Sequence, residues 1–170
     1  MAFIPWLSAE WTVSMKVQLY DEVKIFGSYA FCNIAEFTAD DSQIQHGKST
    51  LMVRMGKENN LRIESTSLYG PEAVFSYPPL VVDQPVHIEV HQRYMYGGIY
   101  RYTIVVDGVN YASKVVTNAQ QNFNIKVYAS EKYREACRVY VSDFKLTNFL
   151  WFAKSFSAKK FFISYTPFFL

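Results

Sequence analysis

Trp11, Val13, Met15, Val17 and Leu19 alternate strictly with Thr12, Ser14, Lys16, Gln18 and Tyr20. A sustained period of two predicts a strand with one buried face. After a turn at Gly27, Phe31–Thr38 alternates more weakly and predicts a second strand, followed by a long polar loop over 39–49. Leu51, Val53 and Met55 then share a face. Gly56-Lys57-Glu58-Asn59-Asn60 makes a turn, and Leu61 and Ile63 resume the pattern as a hairpin partner. Tyr69-Gly70-Pro71 and Tyr77-Pro78-Pro79 punctuate residues 67–85, so any strand there is short or lies at a sheet edge.

The second half is more regular. Val86, Ile88, Val90 and Gln92 oppose His87, Glu89, His91 and Arg93, and after Gly97-Gly98 a β-rich run extends from Ile99 to Val106. Asp107-Gly108 then separates it from Val109–Lys114. An Asp-Gly pair between two such runs predicts a type I′ turn, whose central residues both need positive φ. Phe123, Ile125, Val127 and Ala129 alternate with Asn124, Lys126, Tyr128 and Ser130, and residues 132–137 connect to a last strand from Arg138 to Asn148. Within that strand the apolar parity changes, from Val139 and Val141 to Phe144 and Leu146, which predicts a bulge near Ser142-Asp143. Eight or nine strands with no amphipathic helix between them predict an all-β, antiparallel two-sheet β-sandwich or barrel.

Composition agrees with this reading. Half of the 170 residues are apolar and 18% are aromatic, enough for one packed domain and too apolar for a disordered chain. With 17 basic and 15 acidic residues and no charge cluster, the chain lacks the basic footprint of a nucleic-acid binder. The two cysteines, Cys32 and Cys137, form neither a CxxC nor a zinc spacing. Two states stand for them: a disulfide, or two small buried hydrophobes. Met1–Trp6 lacks the basic start and long apolar run of a secretory signal.

Four stretches carry a resemblance: Val86-His-Ile-Glu-Val-His-Gln92, Tyr100-Arg-Tyr-Thr-Ile-Val-Val-Asp-Gly-Val109, Phe123-Asn-Ile-Lys-Val-Tyr-Ala-Ser130 and Val141-Ser-Asp-Phe-Lys-Leu-Thr-Asn148. Together they resemble the second half of the concanavalin A-like lectin/glucanase superfamily, with its laminin-G-like and pentraxin-like members. Trp11 and Asn33-Ile-Ala-Glu-Phe-Thr38 resemble its first half. The likeness spans residues 8–149 as one jelly-roll domain and leaves 150–170 outside it. It implies a protein that binds glycans, binds proteins or hydrolyses polysaccharides, since a fold never fixes a chemistry.

Hydrolysis by the glucanase branch would need a pair of carboxylates on one strand, as Glu-x-Asp-x-Glu or a close variant, about 5–5.5 Å apart. Ile88-Glu89-Val90-His91 puts a histidine where the second carboxylate belongs, so the chain is expected not to be an enzyme. The His-x-Asn-x-Arg strand and Trp-Gly stack of a galectin-type sugar site are also absent.

A polar strand face with interleaved tyrosines remains as the expected ligand-binding surface. It comprises His87, Glu89, His91 and Arg93, with Arg62, Glu64, Tyr100 and Tyr102 added from neighbouring strands on the same or the opposite face. Rings stack on sugars or peptide groups while charges orient them. The competing reading is the ordinary solvated face of an antiparallel sheet. His87 and His91 lie about 13 Å apart along a strand with no third ligand, and Asp40-Asp41-Ser42 and Asn59-Asn60 read as turn chemistry, so no metal and no cofactor is expected.

The expected function is a non-catalytic, lectin-like recognition module for a glycan or glycoprotein surface. An extracellular adhesion or scaffold domain binding protein is the alternative, and a hydrolase the third. An extracellular or secreted setting is expected despite the missing signal, and nucleic acid is not a partner.

The segment 149–170 contains nine aromatics interrupted by three lysines, too polar for a membrane-spanning helix. It follows neither period. Membrane attachment through 150–170, capping of the sandwich or pairing with an edge strand, or translation of non-coding or misread sequence are the three readings, the last favoured.

Overall fold

The computed structural model describes residues 2–22, 31–39, 49–65, 74–128, 137–149 and 160–162. Twelve strands lie among them: β1 (Ala2–Leu7), β2 (Trp11–Leu19), β3 (Phe31–Thr38), β4 (Ser49–Gly56), β5 (Asn60–Glu64), β6 (Val74–Pro79), β7 (Pro85–Tyr96), β8 (Ile99–Val106), β9 (Val109–Val116), β10 (Asn122–Tyr128), β11 (Val139–Asn148) and β12 (Lys160–Phe162). They form two six-stranded sheets, ordered β1-β10-β3-β4-β5-β6 and β12-β11-β2-β7-β8-β9. The chain is all-β, with the two-sheet antiparallel jelly-roll architecture expected from the alternation and the resemblance. Two compact units follow the sheets: residues 1–6, 19–84 and 122–139 make the first, and residues 7–18, 85–121 and 140–170 the second.

In the second unit the alternation is read out directly. Val13, Met15 and Val17 stand opposite Val90, Ile88 and Val86, which continue to Ile104 and Val106 on β8. All of these side chains are buried, and each contributes about 1.5–3 kcal/mol through lost apolar exposure. The opposite parity carries Ser14, Lys16, His87, Glu89, His91 and Arg93.

The β8–β9 connection has the predicted turn, with φ of 48° at Asp107 and 78° at Gly108. It is tied to β7: the Asp107 N–H donates to the His87 carbonyl and the His87 N–H donates to Asp107 Oδ1, each at 2.8 Å. A Cβ added at Gly108 would meet no atom within 4 Å, so only the left-handed backbone penalises a side chain there. Gly108→Ala is expected to cost about 1–2 kcal/mol in unfolding free energy, measured by chemical denaturation. Where β11 was expected to bulge, the backbone enters the left-handed region. Asp143 has φ of 52°, its carboxylate pairs with Lys16 Nζ at 2.7 Å, and the buried Leu146 follows the shift in parity.

The first unit explains why Phe31–Thr38 alternates poorly. Beyond Phe31, β3 is buried on both faces, and its register on β4 shifts between Asn33 and Ala35. One face carries Cys32, Ala35 and Phe37 with Met55, Val53 and Leu51 opposite them, continued by Leu61 and Ile63 of β5. The other carries polar groups. β6 ends the sheet, as Pro78-Pro79 required. At the other end β1 adds a strand from residues that precede the span 8–149. Cys32 and Cys137 are joined by a disulfide, with Cα atoms 5.2 Å apart and a sequence separation of 105. Beside Cys137, the Arg138 carbonyl accepts from Tyr20 N–H at 3.1 Å and the Arg138 guanidinium pairs with Asp21.

Of the C-terminal segment, Lys160–Phe162 forms β12, pairing antiparallel with β11 at Lys145, Leu146 and Thr147. Edge-strand pairing is thus the reading these three residues satisfy. The expected loop over 40–48, with Asp40-Asp41-Ser42, and the Tyr69-Gly70-Pro71 punctuation lie outside the described residues.

Candidate functional site

The predicted surface divides. His87, Glu89, His91 and Arg93 do come together on one face of β7, where Glu89 lies between the two imidazoles, 3.7 Å from His87 Nδ1 and 3.3 Å from His91 Nε2. His91 Nδ1 is 3.1 Å from the Thr12 hydroxyl. Burial holds the His91 pKa below its usual value, with Arg93 adding to the effect and Glu89 opposing it. A neutral ring fits both contacts: Nε2–H faces Glu89 and Nδ1 accepts from Thr12. Arg93 lies 3.8 Å from Glu10 and stacks on the Phe149 ring, 4.0 Å from its centroid.

Tyr100 and Tyr102 are on the other face. Tyr102 pairs in register with Gln92, is 1% exposed and sits edge-on to Trp11, with ring centroids 6.1 Å apart. Tyr100 pairs with Tyr94, their rings edge-to-face at 5.5 Å. Its phenol pKa is raised by burial first and by the Glu10 charge second. The tyrosines therefore do not interleave with the histidines, and Tyr102 belongs to the core. Arg101 and Thr103 take their place, opposite Arg93 and His91.

A second constellation lies in the first unit, on the polar face of β3, β4, β5 and β6. Its cross-strand rows run Asn33–Arg54–Arg62–Ser76 and Glu36–Met52–Glu64–Val74. Two arginines directly opposite one another repel, and here a carboxylate joins them. Glu64 Oε1 accepts from Arg54 Nη1 at 3.2 Å and from Arg62 Nε at 2.7 Å. The Arg54 side chain is 2% exposed, Glu64 10% and Arg62 30%, so the triad rises from a buried base to an accessible tip. Arg62 also lies over the Phe31 ring, 4.5 Å from its centroid. Asn33 Nδ2 donates to Glu36 Oε2 at 3.3 Å, and Asn60 Nδ2 donates to the Ser76 hydroxyl at 3.3 Å. Such fixed charged donors and acceptors orient hydroxyl groups, since charge-assisted hydrogen bonds are roughly twice as strong as neutral ones.

Arg62 and Glu64 were among the sequence candidates, whereas Asn33, Glu36 and Arg54 were not. Their polar parity is what any solvated face would show. Their signal is burial, which needs both faces of β3 and β4 to be covered.

No family model matches the chain, and no curated protein matches it. Among solved structures, a doubly substituted human galectin-16 aligns with a TM-score of 0.50 at 14% identity, over 86% of this chain and 94% of the galectin. A PL7 alginate lyase from Zobellia galactanivorans aligns with a TM-score of 0.49 at 13% identity, over 84% of this chain and 64% of the lyase. The carbohydrate-binding module CBM66 from Bacillus subtilis aligns with a TM-score of 0.41 at 12% identity, over 76% of this chain and 71% of the module. At such identities the likeness to the galectin shows the fold alone, and that fold is the concanavalin A-like jelly roll which the stretches between Pro85 and Phe149 resemble. The galectin-type residue pattern is absent from the sequence although the fold is shared.

Proposed function

We propose that this chain is a non-catalytic, lectin-like module that binds carbohydrate through the polar face of β4, β5 and β6, with Arg62 and Glu64 as the contact residues. The observation that carries this reading is the Arg54–Glu64–Arg62 triad. A carboxylate fixed by two guanidiniums, one buried and one accessible, holds the accessible Arg62 donor in a set geometry with the largely buried Glu64 acceptor beside it. That is the arrangement vicinal sugar hydroxyls require, because each hydroxyl donates one hydrogen bond and accepts others. A fold shared with a protein named as a galectin supports the same reading.

The non-catalytic part rests on Glu89, whose carboxylate is flanked by two imidazoles where paired-carboxylate hydrolysis needs a second carboxyl group. The Cys32–Cys137 bond supports an extracellular or secreted setting, since disulfides persist in oxidising compartments.

A glycan array followed by monosaccharide competition tests the proposal. Sugar-dependent binding is expected, and Arg62→Ala should weaken it at least tenfold. The melting temperature should change little, because a partly exposed ion pair contributes only about 0–1 kcal/mol. Absence of any sugar-competed binding overturns the reading. Binding to a protein ligand that survives enzymatic deglycosylation would replace it with the adhesion or scaffold alternative.

A further inference from the structure

The two units treat the same problem differently. In the first, Arg54 and Arg62 oppose each other across two strands and share the Glu64 carboxylate. In the second, Arg93 and Arg101 oppose each other across β7 and β8 in the same way. Their Cβ atoms are therefore about 4.5–5.5 Å apart, a like-charge pairing that destabilises a sheet. Among the described residues no carboxylate bridges the two. The residue two along from Arg101, where Glu64 stands relative to Arg62, is Thr103. Arg93 has Glu10 at 3.8 Å, at the outer limit of an ion pair, and Phe149 beneath it. Arg101 is exposed and has no ion pair or hydrogen bond among the described residues.

We infer that Arg93 and Arg101 form a second binding site, distinct from the Arg62–Glu64 face, that takes an oxyanion of an acidic polysaccharide: a sulfate ester or a uronate carboxylate. Two planar guanidiniums side by side can each give parallel N–H donors to one such group. The oxyanion takes the position that Glu64 occupies in the first unit and relieves the repulsion between the arginines. Phe149 holds the Arg93 guanidinium in place from one side, which lowers the ordering cost on binding.

The neighbouring row favours a sugar chain over an acidic peptide. His91, Thr103 and Ser113 stand side by side across β7, β8 and β9. Thr103 and Ser113 offer two hydroxyls next to the anion site, suited to sugar hydroxyls.

The full chain is tested by equilibrium binding to three probes: dextran sulfate, polygalacturonate and unmodified dextran. Dextran sulfate, polygalacturonate or both should bind, and unmodified dextran should not. The first two arms separate sulfate esters from carboxylates as the preferred oxyanion. Arg101→Ala should weaken binding five- to tenfold and Arg101→Glu should abolish it. Lys57→Glu, the same charge change on the β4–β5 turn of the first unit, should leave affinity within twofold. Equal losses from Arg101→Glu and Lys57→Glu would reduce the effect to net charge and overturn the site, as would failure of both acidic polymers to bind. Binding of a poly-glutamate peptide with the same Arg101 dependence, and tighter than either polysaccharide, would overturn the polysaccharide assignment. Because Arg62→Ala leaves Arg93 and Arg101 intact, it should not alter these affinities, so this site and the Arg62–Glu64 site fail or stand separately.

Discussion

Reducing the Cys32–Cys137 disulfide is expected to lower the unfolding free energy by about 4–5 kcal/mol, the chain-entropy value for a loop of this length. The bond joins β3 to a residue two positions before β11, which begins at Val139, across a sequence separation of 105. Oxidised, the unfolded chain carries that loop already closed. Reduced, it regains the freedom, and the folded state is disfavoured without any native contact needing to change. For a chain of this size such a loss lowers the melting temperature by about 10–15 °C. Urea denaturation of oxidised and reduced protein provides the check. The reduced protein should show a lower midpoint and a steeper denaturant dependence, because its unfolded state is more expanded and exposes more surface. Cys32→Ala with Cys137→Ala should reproduce the shift, with a small further loss from the methyl-sized gaps left at the buried Cys32 site. A midpoint unchanged by reductant would show that the bond places no such constraint on the unfolded chain.

The strands of the second unit were legible because each has one buried face. Period two then survives in the residue types, as in Met15 and Val17 against Ser14 and Lys16. The Asp107-Gly108 turn and the irregular backbone at Asp143 were legible because positive φ and a parity change leave marks in single residues. Sidedness was lost at Tyr100 and Tyr102. Tyrosine is apolar along its ring and polar at its tip, so it fits either parity. The register that pairs Gln92 with Tyr102 decided it for the core. Arg101 and Thr103, the polar residues of β8, had marked the solvated face all along. In the first unit the difficulty was reversed. Asn33, Glu36 and Arg54 occupy ordinary polar positions of strands, and nothing local distinguishes a polar residue facing water from one buried with partners. Weak alternation in Phe31–Thr38 was the trace of that double burial, compounded by the register shift after Asn33. The pairing of Cys32 with Cys137 depended on spatial proximity, which spacing in the chain does not encode.

Glu64→Ala should be the most damaging single side-chain change on the polar face of the first unit, destabilising the protein by about 3–5 kcal/mol. The reason lies beneath Glu64. Arg54 is 2% exposed, and its charge was taken out of water with this carboxylate as counterion. Removing the carboxylate leaves the guanidinium buried beside a second one, Arg62, directly opposite on β5. Both the desolvation and the like-charge repulsion then lose this counterion. Arg54→Met should cost less, since Glu64 keeps its 2.7 Å contact with the more exposed Arg62 and the substituted side chain is apolar and of similar length. Arg54→Met combined with Glu64→Leu should recover most of the stability lost in Glu64→Ala, because a buried ion pair replaced by packed apolar groups is often near neutral. Denaturation midpoints of the three variants against the parent separate these cases. A double variant as unstable as Glu64→Ala would mean that the site depends on volume and packing, not charge. The same double variant also divides fold from function: with the triad gone and the fold restored, sugar binding through Arg62 and Glu64 should be lost while the melting temperature stays near that of the parent.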